Sequence, residues 1–421
     1  MARLSSTALF AIFGAIAILA IALFQTSNDR SRSSVTLREE IWWQFDPKTS
    51  ADSRDSVEFE RSNEKCPAGI PALQPIQVET PNLELSLFLD LPEATSIAFV
   101  NADRGFVSER TGRVFAFESG RLLAHPVIDL SAETSSEMDQ GLLGMALSPD
   151  MSWLYLNRTD SAGSSVVTAH AITSAEHELG PAVEIIVVDQ PSAMHNGGDL
   201  AFDDRGHLYA SFGDGGGLGD PYGQAQDLST PLGSVLRLTV DPLAWPPHKP
   251  ASGNPDLGPD SDPRIWVNGV RNPFRFSFDE RTGNLWLTDL GQQCVEEVTI
   301  LAPSDGGANL GWNLVEGSRP FLGQPSESLR APDFEYRHAR GRCAIIGGLV
   351  LYDAPDPILE GRYLFSDMCG GQLMVLDPGP SKEVFELSLR VDQPVAFASD
   401  HNKTPYVVDL ANGIWRLTTS G

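Results

Sequence analysis

His195 stands in the segment Met194-His195-Asn196-Gly197-Gly198-Asp199. Glycines on its C-terminal side let backbone approach closely, so the imidazole can face a ligand and move a proton there. A structural hydrogen bond is the plainer role for a lone histidine. Arg271-Asn272-Pro273 ends a strand-like run from Ile265 and offers an anion a guanidinium and an amide. A surface ion pair is the alternative reading. Glu296 and Glu297, just after Gly291-Gln292-Gln293, can supply oxygen to a hard cation such as Ca²⁺. Adjacent strand residues point to opposite faces, so at most one of the two joins a given site. Asp214 and Asp220 are further oxygen donors, with turn capping as their commoner task. The glycine cluster around them lacks the lysine and following helix that phosphate binding needs, and reads as a long inter-strand loop.

Other chemistries lack their motifs. The chain has no GxSxG, no HExxH, no Walker A loop and no GxGxxG before a helix. Thirty basic against fifty-six acidic residues give a net charge of −26, which repels phosphate backbones and excludes a nucleic-acid partner.

The elements that position these residues are short and apolar. A pattern of apolar strand, acidic or glycine turn and second apolar strand recurs six times. It runs over residues 96–107, 145–156, 200–209, 276–287, 347–365 and 395–408. This spacing is that of an all-β, six-bladed β-propeller with four-stranded blades. A pair of β-sandwiches is the competing architecture, but no linker follows residue 75 to separate two of them.

Residues 76–421 are thus assigned to the propeller and 25–75 to a polar linker. Residues 1–24 hold an apolar run, Ala8 to Phe24, which forms a helix outside the domain as a signal peptide or a membrane anchor. Its about 17 residues would span about 25 Å, short of a bilayer core of about 30 Å. Either form exports the chain to a periplasmic or extracellular space, with membrane contact through this segment alone. Four cysteines, Cys66, Cys294, Cys343 and Cys369, contain no CxxC pair and suit two structural disulfides, with three pairings open.

Taken together, the segments resemble the glucose/sorbosone dehydrogenase family of soluble six-bladed propellers. The carrying motifs begin with Gly141-Leu142-Leu143-Gly144-Met145-Ala146-Leu147-Ser148-Pro149-Asp150 and His195-Asn196-Gly197-Gly198. They continue with Gly213-Asp214-Gly215-Gly216, Gly233-Ser234-Val235-Leu236-Arg237-Leu238 and Gly269-Val270-Arg271-Asn272-Pro273. Asn309-Leu310-Gly311-Trp312 and Gly347-Gly348-Leu349-Val350-Leu351-Tyr352 complete the series. The last segments are similar to the Hedgehog-interacting-protein-like branch.

The resemblance implies an exported sugar dehydrogenase that uses pyrroloquinoline quinone (PQQ) and Ca²⁺ to oxidise an aldose or related alcohol, with an external electron acceptor. It implies His195 as general base, and Arg271 and Asn272 as cofactor contacts. Asp139 aligns with a cofactor-binding glutamine, and Gln140 adjoins it. Gly291 and Gln292 match carbonyl ligands of the catalytic Ca²⁺; Glu297 and the Leu310 carbonyl match a second Ca²⁺ site. It also implies a Cys343–Cys369 disulfide, leaving Cys66 for Cys294.

This chain departs from the family's PQQ enzymes at three contacts. Met368-Cys369-Gly370 stands where they have a lysine, and Val391 to Gln393 where they have an arginine pair, with Arg390 nearby. Charge-assisted hydrogen bonds are worth about 1.5–3 kcal/mol each, so three losses weigh against binding a tricarboxylate. Two other functions remain compatible with the fold. One is a non-catalytic extracellular module that binds a protein or glycan; the other is a Ca²⁺-dependent propeller hydrolase or lactonase.

Overall fold

Each apolar repeat has both strand faces to bury, because it lies between two neighbouring blades. In the computed structural model, which describes residues 72–173, 178–354 and 356–419, this packing is explicit. Along Trp153–Thr159, Tyr155 packs toward one neighbouring sheet while Leu154 and Leu156 pack toward the other. Trp286 and its neighbours Leu285 and Leu287 divide in the same way. This period-2 division between two apolar interfaces explains runs that are apolar throughout and show no helical period. The N-terminal apolar segment and Cys66 lie outside the described residues.

Six sheets form the ring. The innermost hairpins are Ala94–Phe99 with Arg104–Glu109, Leu142–Leu147 with Trp153–Thr159, and Leu200–Phe202 with Leu208–Phe212. They continue with Arg275–Phe278 and Leu285–Asp289, Ile345–Val350 and Tyr363–Asp367, and Pro394–Ser399 and Pro405–Asp409. The six sequence repeats are these six hairpins. Each first strand lies against the first strand of the next blade, and the sixth against the first, so the ring is closed. Two packed sandwiches are thereby excluded.

Closure joins the two ends of the domain. The outer strand of blade six, Leu83–Asp90, comes from the N-terminal side and pairs antiparallel with Gly413–Thr419. Ile76–Val78 adds a parallel outermost strand to blade five, beside Val384–Arg390. Cys343 and Cys369 are joined, as the resemblance implied. Cys294 is not a free thiol, and its expected partner Cys66 lies outside the described residues.

The axis of the ring is filled by one side chain. Arg275, on the innermost strand of blade four, donates from Nε to the Val395 carbonyl at 2.8 Å. Its Nη2 donates to the carbonyls of Thr95 at 3.0 Å and Leu143 at 3.1 Å. Asp199 at the entry to blade three lies 3.5 Å from Nη1. A guanidinium that reaches blades one, two, three and six from blade four can only sit on the axis. It is itself buried, at 4% exposure.

Arg275→Met would orphan three carbonyls and leave Asp199 without its counter-charge. Breaking a buried pair in this way costs about 3–5 kcal/mol. Urea denaturation followed by tryptophan fluorescence should show an unfolding free energy lowered by that amount and a correspondingly lower midpoint; an unchanged midpoint would reject the axial role.

Candidate functional site

His195 and Arg271, expected as base and cofactor contact, come together at one end of the ring, joined by Asp214. His195 and Arg271 lie in segments entering the innermost strands of blades three and four, and Asp214 follows the second strand of blade three. His195 is 2% exposed and takes a left-handed backbone, φ 55°, which costs a non-glycine residue about 1–2 kcal/mol. Its amide donates to Asp139 Oδ2 at 2.9 Å, which holds the strained turn.

Both ring nitrogens of His195 are engaged. Nδ1 lies 2.7 Å from Asp214 Oδ1, and Nε2 lies 2.7 Å from Arg271 Nη2. A guanidinium has donors only, so Nε2 must accept and Nδ1 must carry the proton donated to Asp214. His195 is therefore the neutral Nδ1–H tautomer, with its Nε2 lone pair accepting from Arg271. That is the form a general base requires.

Asp214 is fully buried and also accepts from Trp312 Nε1 at 2.7 Å and the Gly216 amide at 2.8 Å. Burial works to raise its carboxyl, but His195 and Arg271 beside it prevail and hold it below the ordinary range. Trp312 places its ring face 5.8 Å from the Arg271 guanidinium carbon. Arg271, at 9% exposure, is no surface ion pair; its Nη1 donates to the Leu290 carbonyl at 3.0 Å.

Asp289, which ends the second strand of blade four, fixes Arg271 and Asn272 by their backbone. Its Oδ2 accepts the Arg271 amide at 2.8 Å and its Oδ1 the Asn272 amide at 2.7 Å. Burial, aided by the Asp214 charge, pushes the Asp289 carboxyl up to about 7 despite those two donors. Asn272 in turn accepts the Gly197 amide at 3.0 Å through Oδ1. One carboxylate on blade four thus sets both partners of the His195 segment.

The remaining candidates divide. Gln140 is buried but its Oε1 takes the Ser135 hydroxyl at 2.5 Å, away from the histidine hydrogen bonds. Asp220 caps its own turn through the amides of Gln224 and Ala225, both at 2.9 Å. Glu296 turns to His338 and to the Ile345 amide at 3.0 Å, while Glu297 takes the Gly317 amide at 2.6 Å. The two adjacent glutamates do serve different places. Leu310 donates its amide to Asn268 at 2.8 Å, and no described contact joins it to Glu297.

The donor set at the Gly291–Cys294 loop fits a hard cation. The carbonyls of Gly291 and Gln292 accept no hydrogen bond among the described residues, while Glu316 Oε1 gathers the amides of Gln292, Gln293 and Cys294 at 2.9–3.1 Å. Glu297 nearby is held well above the ordinary range by burial and by Asp289, Glu316 and Glu335 around it. A cation would relieve that repulsion.

Buried donors without partners also accumulate here: Arg271 Nε, Gln292 Nε2 and the Nδ2 of Asn196, which is 1% exposed. They suit an acceptor-rich anion such as a quinone carboxylate. The blade-five rim adds no cation at the positions marked by the sequence. Met368 packs into an apolar cluster and Cys369 is in the disulfide.

Asp289, Trp312 and Glu316 were not singled out as functional residues by sequence reasoning. Each acts at a distance of many residues, and only the acidic end of a second strand hints at Asp289.

Gly213 shows how tightly the site is drawn. A Cβ there would stand 2.1 Å from the His195 carbonyl and 2.7 Å from that of Arg271. Gly213→Ala should lower stability by about 1–3 kcal/mol through overpacking. Thermal denaturation reads the loss, and an unaltered melting temperature would show that the two segments are free to move apart.

The chain matches the Glucose / Sorbosone dehydrogenase family over residues 91–390. It is 32% identical over 310 residues to the HIPL2 protein of Arabidopsis thaliana, covering 60% of this chain and 44% of that protein. To the aldose sugar dehydrogenase YliI of Escherichia coli it is 27% identical over 295 residues, covering 66% of this chain and 71% of the relative. It thus spans less than half the length of the plant relatives it matches. The solved PQQ-bound form of aldose sugar dehydrogenase from Streptomyces coelicolor shares the fold, with a TM-score of 0.65 at 19% identity over 81% of this chain and 99% of that one. By the extent of the family match, the chain belongs to the glucose/sorbosone dehydrogenase family.

Proposed function

We propose that this chain oxidises a hydroxyl-bearing carbon of an aldose or related alcohol, with His195 as the base and PQQ and Ca²⁺ as cofactors. The observation that carries the reading is the His195 tautomer, fixed by Asp214 on one nitrogen and Arg271 on the other. A substrate hydroxyl placed between the two side chains would accept from Arg271 and donate its proton to Nε2. Asp214 then stabilises the imidazolium that forms, and Arg271 the oxygen as it becomes a carbonyl.

Arg271 and Asn272 are the residues suited to hold the anionic cofactor, and the carbonyls of Gly291 and Gln292 the cation, with Glu297 at a further cation position. When bound, PQQ supplies a two-electron hydride acceptor and Ca²⁺ a Lewis acid. An aldose sugar dehydrogenase among the relatives supports the substrate class. An external acceptor would be needed to carry the electrons onward.

The Cys343–Cys369 disulfide supports export, since such bonds persist in oxidising compartments. The proposal keeps residues 76–421 as the propeller, 25–75 as a tether and 1–24 as leader or anchor. A second reading, a non-catalytic module binding a protein or glycan, is favoured by the uncharged blade-five rim at Met368 and Cys369. Hedgehog-interacting proteins are among the relatives and fit that reading too.

Reconstitution of the purified chain with PQQ and Ca²⁺ separates the two. Dye reduction with aldoses is expected, and Asp214→Asn should lower kcat by about 10²–10⁴ with KM little changed, because the histidine loses its tautomer. Absence of PQQ binding by calorimetry would overturn the dehydrogenase reading and leave the binding module.

A further inference from the structure

At the opposite end of the ring from His195, the seam between blades six and one holds a cavity of about 490 Å³. Its charged turn residues Asp103 and Asp400 lie between first and second strands, whereas His195 and Arg271 precede first strands and Asp214 follows a second one. The two sites are therefore separate. Elsewhere the same interface is apolar: Phe99, Phe117, Val107 and Ile414 fill it. Along Gly413–Thr419 the row that begins with fully buried Ile414 continues, by strand alternation, with Arg416 and Thr418. Apolar packing stops there, and both residues line the cavity.

The polar lining is not used up by the fold. Asp400 is committed to the amides of Asn402 at 2.8 Å and Thr404 at 3.0 Å and to the Tyr406 hydroxyl at 3.3 Å. The Arg416 guanidinium and the Asp103 carboxylate have no hydrogen bond or ion pair among the described residues, and they are not paired with each other. Thr418 adds a hydroxyl and Phe88 an aromatic ring on one side. Two carboxylates against one guanidinium disfavour an anion. The guanidinium disfavours a metal cation, and unpaired polar groups penalise an apolar ligand. What remains is a neutral molecule rich in groups that both donate and accept.

We propose that this seam cavity binds a neutral sugar ring, with Asp103 accepting from and Arg416 donating to its hydroxyls. Its volume falls within the roughly 300–1,000 Å³ of small-molecule sites and admits a pyranose unit. The proposal stands whether or not the chain is a dehydrogenase. A sugar held there would tie the ring closure of Leu83–Asp90 and Gly413–Thr419 to blade one, or anchor a glycan while another part of it reaches the opposite face.

The test uses the full chain and the methyl glycosides of glucose, galactose, mannose and xylose, whose blocked C1 hydroxyl prevents oxidation there. Calorimetry should find saturable binding of at least one, in the millimolar range usual for a single sugar contact, about −4 kcal/mol. Arg416→Ala and Asp103→Asn, both exposed positions whose folding is checked by melting temperature, should each weaken it about tenfold. His195→Ala should leave it unchanged. Binding of none of the four glycosides, unaltered affinity in both seam variants, or loss in His195→Ala would overturn the assignment.

Discussion

The ring depends on a buried guanidinium. Six blades that meet around an axis leave a channel lined by strand carbonyls, and those carbonyls face away from their own sheets. Arg275 supplies donors to three of them from a fourth blade and sets its charge against Asp199. Burial opposes the charged form, and the Asp199 carboxylate works the other way. Gly347 of blade five packs tightly beside the Arg275 strand: a Cβ there would stand 2.7 Å from Thr288 Oγ1, 3.0 Å from the Tyr363 hydroxyl and 3.1 Å from Arg275 Cβ.

Carboxylates at the ends of second strands hold the segments that enter the first strands of their own blades. Asp289 takes the amides of Arg271 and Asn272, and Asp367 those of Cys343 and Ala344. Asp409 takes that of Gln393 at 2.9 Å. One architectural device thus recurs around the ring. In blade three the corresponding Asp214 does something else: it takes the His195 side chain and orients the imidazole. The grip on His195 is a local variation on a device that other blades use to hold backbone.

The hairpins were legible because each combines apolar runs with an acidic or glycine turn, and the period-2 burial they need is written in consecutive residues. His195, Arg271 and Asn272 were legible through their glycine and proline neighbours. Their mutual bond was not: the 2.7 Å contact joins residues far apart in the chain. Closure by Leu83–Asp90 was equally hidden, since its alternation resembles that of any edge strand. Arg275 read as one more residue of a strand, because nothing local marks an axial position. The acidity that excluded nucleic acid proves to include carboxylates such as Asp214, Asp289 and Asp367, which are buried and hydrogen-bonded. Net charge alone could not separate these from surface acids.

The claim on which the functional account rests is that His195 is a neutral imidazole protonated on Nδ1, with Nε2 available as a base. Nitrogen-15 NMR of the histidine-labelled protein near neutral pH, with His195 assigned by comparison with His195→Ala, tests it directly. The account predicts a protonated, pyrrole-like Nδ1 and an unprotonated, pyridine-like Nε2. A proton on Nε2, in either the opposite tautomer or an imidazolium, would contradict it.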